Sequence, residues 1–134
     1  MRFSLPVRVY WEDTDAGGVV YHARYVAFLE RARTEWLRAR GFDQGELRDV
    51  QHVLFVVRAM TLDYLAPAKL DDELDATATL VNCRKASFEF EQTIERAGLT
   101  LVSARVKVAV IDSRTMKPRG MPAEIYQQLN GAMN

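Results

Sequence analysis

The spacing of hydrophobic residues predicts one long helix in the first third of the chain. Between about Tyr21 and Arg40, hydrophobic residues recur three and four positions apart, and Gly41 is the predicted helix end. The first half of this helix is itself hydrophobic on nearly all sides, which predicts that the helix start is enclosed by the protein rather than lying on a surface. The face predicted to enter the core carries Tyr25, Phe28, Leu29, Ala32 and Trp36.

Beyond the helix, the hydrophobic pattern changes to the period of two that is typical of strands. Short breaks at 84–86 and 96–98 predict that these strands follow one another as an antiparallel meander. Asp43 and Pro122 each precede a predicted short helix. An earlier strand contains Pro6, which favours a sheet edge. The predicted strands are Phe3–Glu12, Val53–Leu65 and the alternating runs that include Leu74–Leu80, Phe88–Ile94 and Ala104–Val110.

This order of elements predicts an α+β fold in which one long helix packs against one antiparallel sheet. The chain contains no internal repeat and no Pro/Gly-rich linker, so residues 1–134 are predicted to form a single domain. One helix leaves a second sheet face and the edge strands uncovered. A copy of the same chain would cover them, which predicts at least a dimer.

Composition narrows the classes of partner. Eighteen Lys and Arg balance eighteen Asp and Glu, so no overall field favours nucleic acid or an acidic membrane. Cys83 is the only cysteine, which excludes an internal disulfide and a cysteine-based metal site. The N-terminus lacks the apolar run of a signal peptide, and no segment has the roughly 20 apolar residues of a membrane helix. A cytoplasmic location is therefore expected.

The densest group of reactive residues is Glu12–Tyr25, between the first strand and the long helix. Its carboxylates, Glu12, Asp13 and Asp15, could form a solvated acidic turn, a metal site or a catalytic base. The calcium-loop pattern needs further acids at fixed offsets, and Ala-Gly-Gly-Val follows instead, so a metal site is not expected. Asp15 is the better candidate for a base or nucleophile because it lies nearest the apolar helix start, which would raise its basicity.

The residues after Asp15 favour binding of a carbonyl group. Gly17 and Gly18 could form an ordinary flexible turn or allow a ligand to approach the backbone closely. No Ser, Thr, Asp or Asn immediately precedes the helix to cap it. Because the first N–H groups of the helix then have no side-chain partner, they could stabilise an oxyanion. His22 lies in the predicted first helical turn, where it is either structural or an orienting group for water or substrate.

Together these residues form a motif: Arg8-Val9, four residues, Thr14-Asp15, two residues, Gly18-Val-Val-Tyr-His22, and then Tyr25. The motif resembles the signature of the 4-hydroxybenzoyl-CoA thioesterase family, whose members have the hotdog fold, a long helix wrapped by a five-stranded antiparallel sheet. The segment that begins Tyr25-Val-Ala-Phe-Leu-Glu makes the resemblance closest to the YbgC branch, the acyl-CoA thioesterases associated with the Tol-Pal system. The resemblance extends over essentially the whole chain, and it implies a homodimer or homotetramer.

The resemblance implies roles for individual residues. Asp15 matches the catalytic carboxylate, and His22 matches the helix-start position whose backbone N–H polarises the thioester carbonyl. Trp11 is a departure, because many members of this branch are expected to have a tyrosine there. The implied substrate-binding residues are Gly18 and Tyr21, with Arg84, Lys85 and Ser87 in a hairpin whose cations meet the coenzyme A phosphates.

The implied reaction is hydrolysis of acyl-CoA to a free acid and coenzyme A, with Asp15 as nucleophile or general base. No metal or other cofactor is implied, since coenzyme A is part of the substrate; acyl carrier protein is the alternative donor. Two other functions stay open at this point. One is a hydroxyacyl dehydratase of the same fold, and the other is a non-catalytic module that binds acyl-CoA or acyl carrier protein.

Overall fold

Five strands form one antiparallel sheet with a long helix packed on one face in the computed structural model, which describes residues 2–133. The strands alternate in-facing and out-facing side chains, whereas the helix buries one stripe. The helices are α1 (Arg24–Ala39), α2 (Gln44–Glu46) and α3 (Ala123–Gly131), and the strands are β1 (Arg2–Arg8), β2 (Val53–Tyr64), β3 (Glu73–Cys83), β4 (Ser87–Arg96) and β5 (Leu99–Asp112).

The strand order is β1-β3-β4-β5-β2, so the predicted meander is right for β3, β4 and β5 but wrong for β2. β2 pairs with β5 at the far edge, because residues 65–72 carry the chain from that edge back across to β3. β1 pairs with β3 at the opposite edge, as the position of Pro6 predicted. β1 ends at Arg8, before the predicted strand end at Glu12.

The core lies between α1 and the inner face of the sheet. All five residues predicted on the buried face of α1 are buried, and so are the predicted in-facing residues of β3, β4 and β5. Trp36 of α1 meets Phe90 of β4 edge to face, with ring centroids 5.1 Å apart. The side chains of Phe55 and Phe88 continue this aromatic layer toward β2.

Polar side chains also hold α1 against the sheet. The fully buried Gln92 of β4 donates through Nε2 to the carbonyl oxygens of Leu29 and Thr77, both at 3.0 Å. Its Oε1 accepts a hydrogen bond of 2.9 Å from Nη1 of Arg33. Because buried polar groups are costly when unpaired, this network fixes the position of α1 along the sheet.

The beginning of α1 differs from the prediction. The helix begins at Arg24 rather than near Tyr21, so His22 lies in a turn before the first helical residue. The predicted enclosure of the helix start is wrong for a single chain, since Val26 is 36% exposed and Tyr21 is exposed too. The predicted end is confirmed, because Gly41 takes the left-handed φ of +87° just after the helix.

The short helices are confirmed where the sequence predicted them. Asp43 caps α2 by accepting hydrogen bonds from the N–H groups of Gly45 and Glu46, and Pro122 precedes α3. The longest helix, α1, has 16 residues, and within residues 2–133 no helix has the length and apolar character needed to cross a membrane.

Candidate active site

The segment that carries the candidate chemistry folds as a small hairpin between β1 and α1. Tyr21 N donates to the Asp13 carbonyl and Asp15 N to the Val19 carbonyl, both at 2.9 Å, with Thr14 paired to Val20. Val20 N donates in turn to the carbonyl of Ala68, which ties the hairpin to the link between β2 and β3. These bonds hold Asp15 and the residues that lead into α1 in one hairpin.

Asp15 begins the tight turn of this hairpin. The Asp15 carbonyl accepts from Gly18 N at 3.0 Å, and its Oδ1 accepts from Gly17 N at 2.8 Å. Gly18 has a φ of +81°, and a Cβ on Gly17 would lie 3.1 Å from Asp15 Oδ1, so the turn favours glycine at both positions. Oδ2 of Asp15 has no hydrogen-bond partner within residues 2–133. One carboxylate oxygen is thus held in place and the other is open to water or substrate.

Asp13, by contrast, has a structural environment. It is only 4% exposed, and its Oδ1 accepts hydrogen bonds from Arg24 Nε and Nη2 at 2.9 and 2.7 Å. Its Oδ2 accepts from Tyr10 N at 2.9 Å. This ion pair joins the turn Trp11–Asp13 to the first residue of α1. Asp13 therefore positions the hairpin relative to the helix, and no oxygen of it is left for chemistry.

His22 and Ala23 present unpaired backbone donors at the start of α1. No acceptor in the described part of the chain lies within hydrogen-bond distance of either N–H group. The Arg24 N–H is already used, because it donates to the Tyr21 carbonyl at 2.8 Å. The two neighbouring N–H groups are therefore free of protein acceptors in the described part of the chain, and groups of this kind can donate to an oxyanion. His22 precedes the helix instead of lying in its first turn.

Aromatic side chains surround His22, and Tyr64 among them was missed by the sequence analysis. Tyr64 Oη donates to the His22 carbonyl at 3.0 Å, which helps to fix the orientation of that peptide. The ring of Tyr64 lies 6.3 Å from the His22 ring and 5.8 Å from the Tyr25 ring. Tyr25 is buried and its Oη accepts from Ala68 N; burial raises the pKa of its phenol. Tyr64 ends β2, but only the fold brings that strand end to His22.

In a single chain the candidate residues border two separate cavities. Asp15 and Gly18 line one cavity with Trp11 and Leu70. His22 lines another, whose walls also include Tyr25, Tyr64 and Leu65. The side chains of Asp15 and His22 are both exposed, so the predicted partly dry environment is not present in one chain alone.

The predicted basic hairpin is the turn between β3 and β4. Arg84 N donates to the Ser87 carbonyl at 2.7 Å, and Arg84 and Lys85 are exposed on the turn. A second basic segment lies beside it, because Met121 N donates to the Lys85 carbonyl at 2.7 Å. The sequence analysis missed the cations of that segment, Lys117 and Arg119.

Within residues 2–133 these cations have no carboxylate in salt-bridge distance: Arg84, Lys85, Lys117 and Arg119. Two adjacent loops thus present uncompensated positive charge, which suits an anionic group. As for a metal, no three His, Cys, Asp or Glu side chains of residues 2–133 are grouped so that they could hold one.

The two aspartates should respond differently to loss of charge. Asp13→Asn should lower the free energy of unfolding by about 1–3 kcal/mol, because an amide NH₂ would face donors at a buried site. Asp15→Asn should change it by less than about 0.5 kcal/mol, since Asp15 is exposed and Asn can still accept from Gly17. Urea unfolding of both variants measures the difference, and equal losses would contradict the structural assignment of Asp13.

Known proteins are similar to this chain over most of its length. The family model of the thioesterase-like superfamily matches residues 9–129. The acyl-CoA thioester hydrolase YbgC of Escherichia coli O6:H1 is 53% identical over 127 residues, which cover 94% of each chain. The acyl-CoA thioesterase YbgC of Haemophilus influenzae is 51% identical over 123 residues, covering 92% of this chain and 90% of the relative.

Solved structures support the same assignment. The crystal structure of a probable thioesterase from Bartonella henselae superposes with a TM-score of 0.86 at 39% identity, covering 91% of this chain and all of that one. The predicted hotdog fold is thereby confirmed, and so is the prediction of a thioester-hydrolysing enzyme. The chain belongs to the thioesterase-like superfamily, within which it groups with the YbgC thioesterases.

Proposed function

We propose that the chain hydrolyses acyl-CoA thioesters to a carboxylic acid and coenzyme A. The observation that carries this proposal is the hydrogen-bonded hairpin that joins Asp15, whose Oδ2 is unpaired among the described residues, to the unpaired N–H groups of His22 and Ala23 before α1. Thioester hydrolysis needs a nucleophile or base on one side of a carbonyl and hydrogen-bond donors toward its oxygen. The relatives of known name act on acyl-CoA, which supports coenzyme A rather than acyl carrier protein as the donor.

In this mechanism, the thioester oxygen accepts hydrogen bonds from His22 N–H and Ala23 N–H. Oδ2 of Asp15 either attacks the carbonyl carbon or removes a proton from a water molecule that attacks it. The negative charge that forms on the oxygen is stabilised by the two N–H groups. If water attacks, the C–S bond then breaks, the carboxylic acid leaves, and the coenzyme A thiolate takes up the proton that Asp15 removed from the water. If Asp15 attacks, breaking of the C–S bond releases the thiolate and leaves the acyl group on Asp15 as a mixed anhydride. A water molecule then hydrolyses this anhydride to the acid and the free Asp15 carboxylate.

The nucleotide end of the substrate is proposed to bind at the basic hairpin. Arg84 and Lys85 are exposed and without carboxylate partners among the described residues, and Lys117 and Arg119 lie on the neighbouring segment. Phosphates would pair with these cations, and Ser87, half-buried at the start of β4, is the proposed hydroxyl contact. Gly18 and Tyr21 are proposed to contact the thioester itself, because they flank the turn and the helix start.

The active site is proposed to be completed by a second copy of the chain. β2 is a 12-residue edge strand with an exposed apolar side chain at Val57 (48%), and Tyr64 and Leu65 are exposed beyond it. Antiparallel pairing of two β2 edges would cover these residues and shield the two cavities from water. Dimer formation would then supply the desolvation that Asp15 lacks in one chain.

Loss of the Asp15 charge should abolish most of the activity. Asp15→Asn is expected to lower kcat/KM for acyl-CoA hydrolysis by at least about a hundredfold, the typical contribution of a catalytic base. Thiol release across a panel of acyl-CoAs measures it, and Glu12→Gln, an exposed acid of the same segment, should stay near wild type. Turnover close to wild type in a folded Asp15→Asn protein would refute the mechanism.

Neutralising the basic hairpin should weaken binding of the nucleotide. The double variant Arg84→Gln, Lys85→Gln is expected to raise KM for acyl-CoA about tenfold with little change in kcat. The KM for the matching N-acetylcysteamine thioester, which lacks the phosphates, should not change. Arg38→Gln, an exposed cation on α1, is the control. Equal effects on both thioesters would argue against phosphate binding here.

A charge on the β2 edge should separate the subunits. Ala59→Glu, at another exposed residue of β2, is expected to shift the protein toward monomer in sedimentation velocity and to lower activity with it, because a buried carboxylate would oppose the interface. Val81→Glu, at an exposed valine of β3, should leave both unchanged. A wild-type protein that is monomeric and fully active at assay concentration would contradict the proposal.

A further inference from the structure

One buried charge has no role in the proposed reaction. Arg33 of α1 is 7% exposed, yet within residues 2–133 no carboxylate lies within 4.0 Å of its guanidinium. Its only side-chain hydrogen bond among those residues goes from Nη1 to Gln92 Oε1. Burial lowers the pKa of this guanidinium, and the negative charge of Glu30 raises it. A buried cation with a single neutral acceptor is costly unless another acceptor arrives.

The unused donors of Arg33 open onto a groove. The groove lies between α1 and β2 and has a volume of about 360 Å³. In the described part of the chain, Trp36 Nε1 is the one fully buried side-chain nitrogen or oxygen without a hydrogen-bond partner. The Arg33 nitrogens that lack a partner are therefore not fully buried. The walls of the groove are mainly apolar, with Val26, Leu37, Phe55, Val57, Met60 and Phe90 among them.

The groove reaches the first turn of α1. Val26 is the third residue of α1 and follows His22 by four positions, and Arg33 lies seven residues further, about 10 Å along the helix axis. Val26, Glu30, Arg33 and Leu37 follow one another on the same stripe of α1, since they recur at intervals of three and four. An acyl chain whose carbonyl oxygen binds at His22 could therefore extend along this stripe toward the guanidinium.

We propose that this groove binds the acyl group of the substrate and that Arg33 selects acyl chains carrying an oxygen, as hydroxyl or carboxylate, far from the thioester. The proposal rests on the proposed hydrolysis and adds a substrate class to it. The apolar walls bind the methylene groups, and the guanidinium donates to the distal oxygen. Gln92 positions Arg33, because its amide is itself held by the carbonyls of Leu29 and Thr77.

The test compares acyl-CoAs of equal length that differ only at the distal end. Over chains of about six to twelve carbons, spanning the distance to Arg33, the plain, ω-hydroxy and ω-carboxy thioesters are compared by kcat/KM. At the best length, wild type should prefer an oxygenated chain by about tenfold or more, as expected for a hydrogen bond from a charged donor. Wild-type hydrolysis of all chains without such a preference overturns the inference and leaves the hydrolase proposal standing. Absence of hydrolysis for every thioester refutes the hydrolase proposal and this inference with it.

Variants locate the preference at Arg33. Arg33→Met should remove it by lowering kcat/KM for the oxygenated substrates about tenfold more than for the plain chains; Arg33→Lys should retain part of it. Arg31→Met is the matched control, because Arg31 is two positions away on α1, exposed, and outside the groove. If Arg33→Met does not fold, the wild-type comparison alone decides. A preference that Arg33→Met leaves intact, with or without a change in oligomeric state, overturns the assignment.

Glu30 separates the two kinds of oxygen. It lies on the groove one turn before Arg33, so its charge should oppose a carboxylate more than a hydroxyl. Glu30→Gln is therefore expected to raise kcat/KM several-fold for ω-carboxy chains and to leave ω-hydroxy chains unchanged. An equal rise for plain chains would show a general effect on the groove and count against recognition of the distal oxygen.

Discussion

The packing of one face of α1 against the inner face of the sheet is the interaction on which the rest of the structure depends. Fully buried side chains of α1 and the three central strands meet there, and Trp36 and Phe90 lie at its centre. Burial of this size is the main source of stability in a domain of this length. It also fixes where α1 begins, and the position of that helix start determines which backbone N–H groups are left for a ligand.

Charged groups near α1 divide into those that hold the fold and those that are left for ligands. Asp13 and Arg24 satisfy one another, with Tyr10 N–H as an additional donor to the carboxylate. Asp15 uses one carboxylate oxygen in its own turn and leaves the other open. Arg33 also uses only part of its hydrogen-bonding capacity. Incomplete pairing at defined positions, more than the number of charges, distinguishes candidate reactive groups from structural ones.

The sequence predicted features that depend on local periodicity and missed those that depend on tertiary contacts. The buried face of α1, the alternation in β3 to β5 and the glycine at the helix end follow from spacing alone. The position of β2 at the far sheet edge, and with it the contact between Tyr64 and His22, depends on how the chain crosses the sheet. Sequence position favoured Asp15 over Asp13 as the reactive carboxylate, but the structural environment of Asp13 follows from its burial and its bonds to Arg24 and Tyr10, which the sequence does not show.

The predicted enclosure of the helix start was wrong for the single chain for an instructive reason. The apolar residues around the start of α1 are present, but the sheet covers only one side of them and leaves Val26 and Tyr21 exposed. The β2 edge that borders the same side is also unpaired. An apolar helix start beside an unpaired strand is a surface that a second copy would bury, and the cavity lined by His22, Tyr25 and Tyr64 lies at its end. In the proposed dimer, the association that covers this surface would also remove water from that cavity, so assembly and chemistry would depend on one interface.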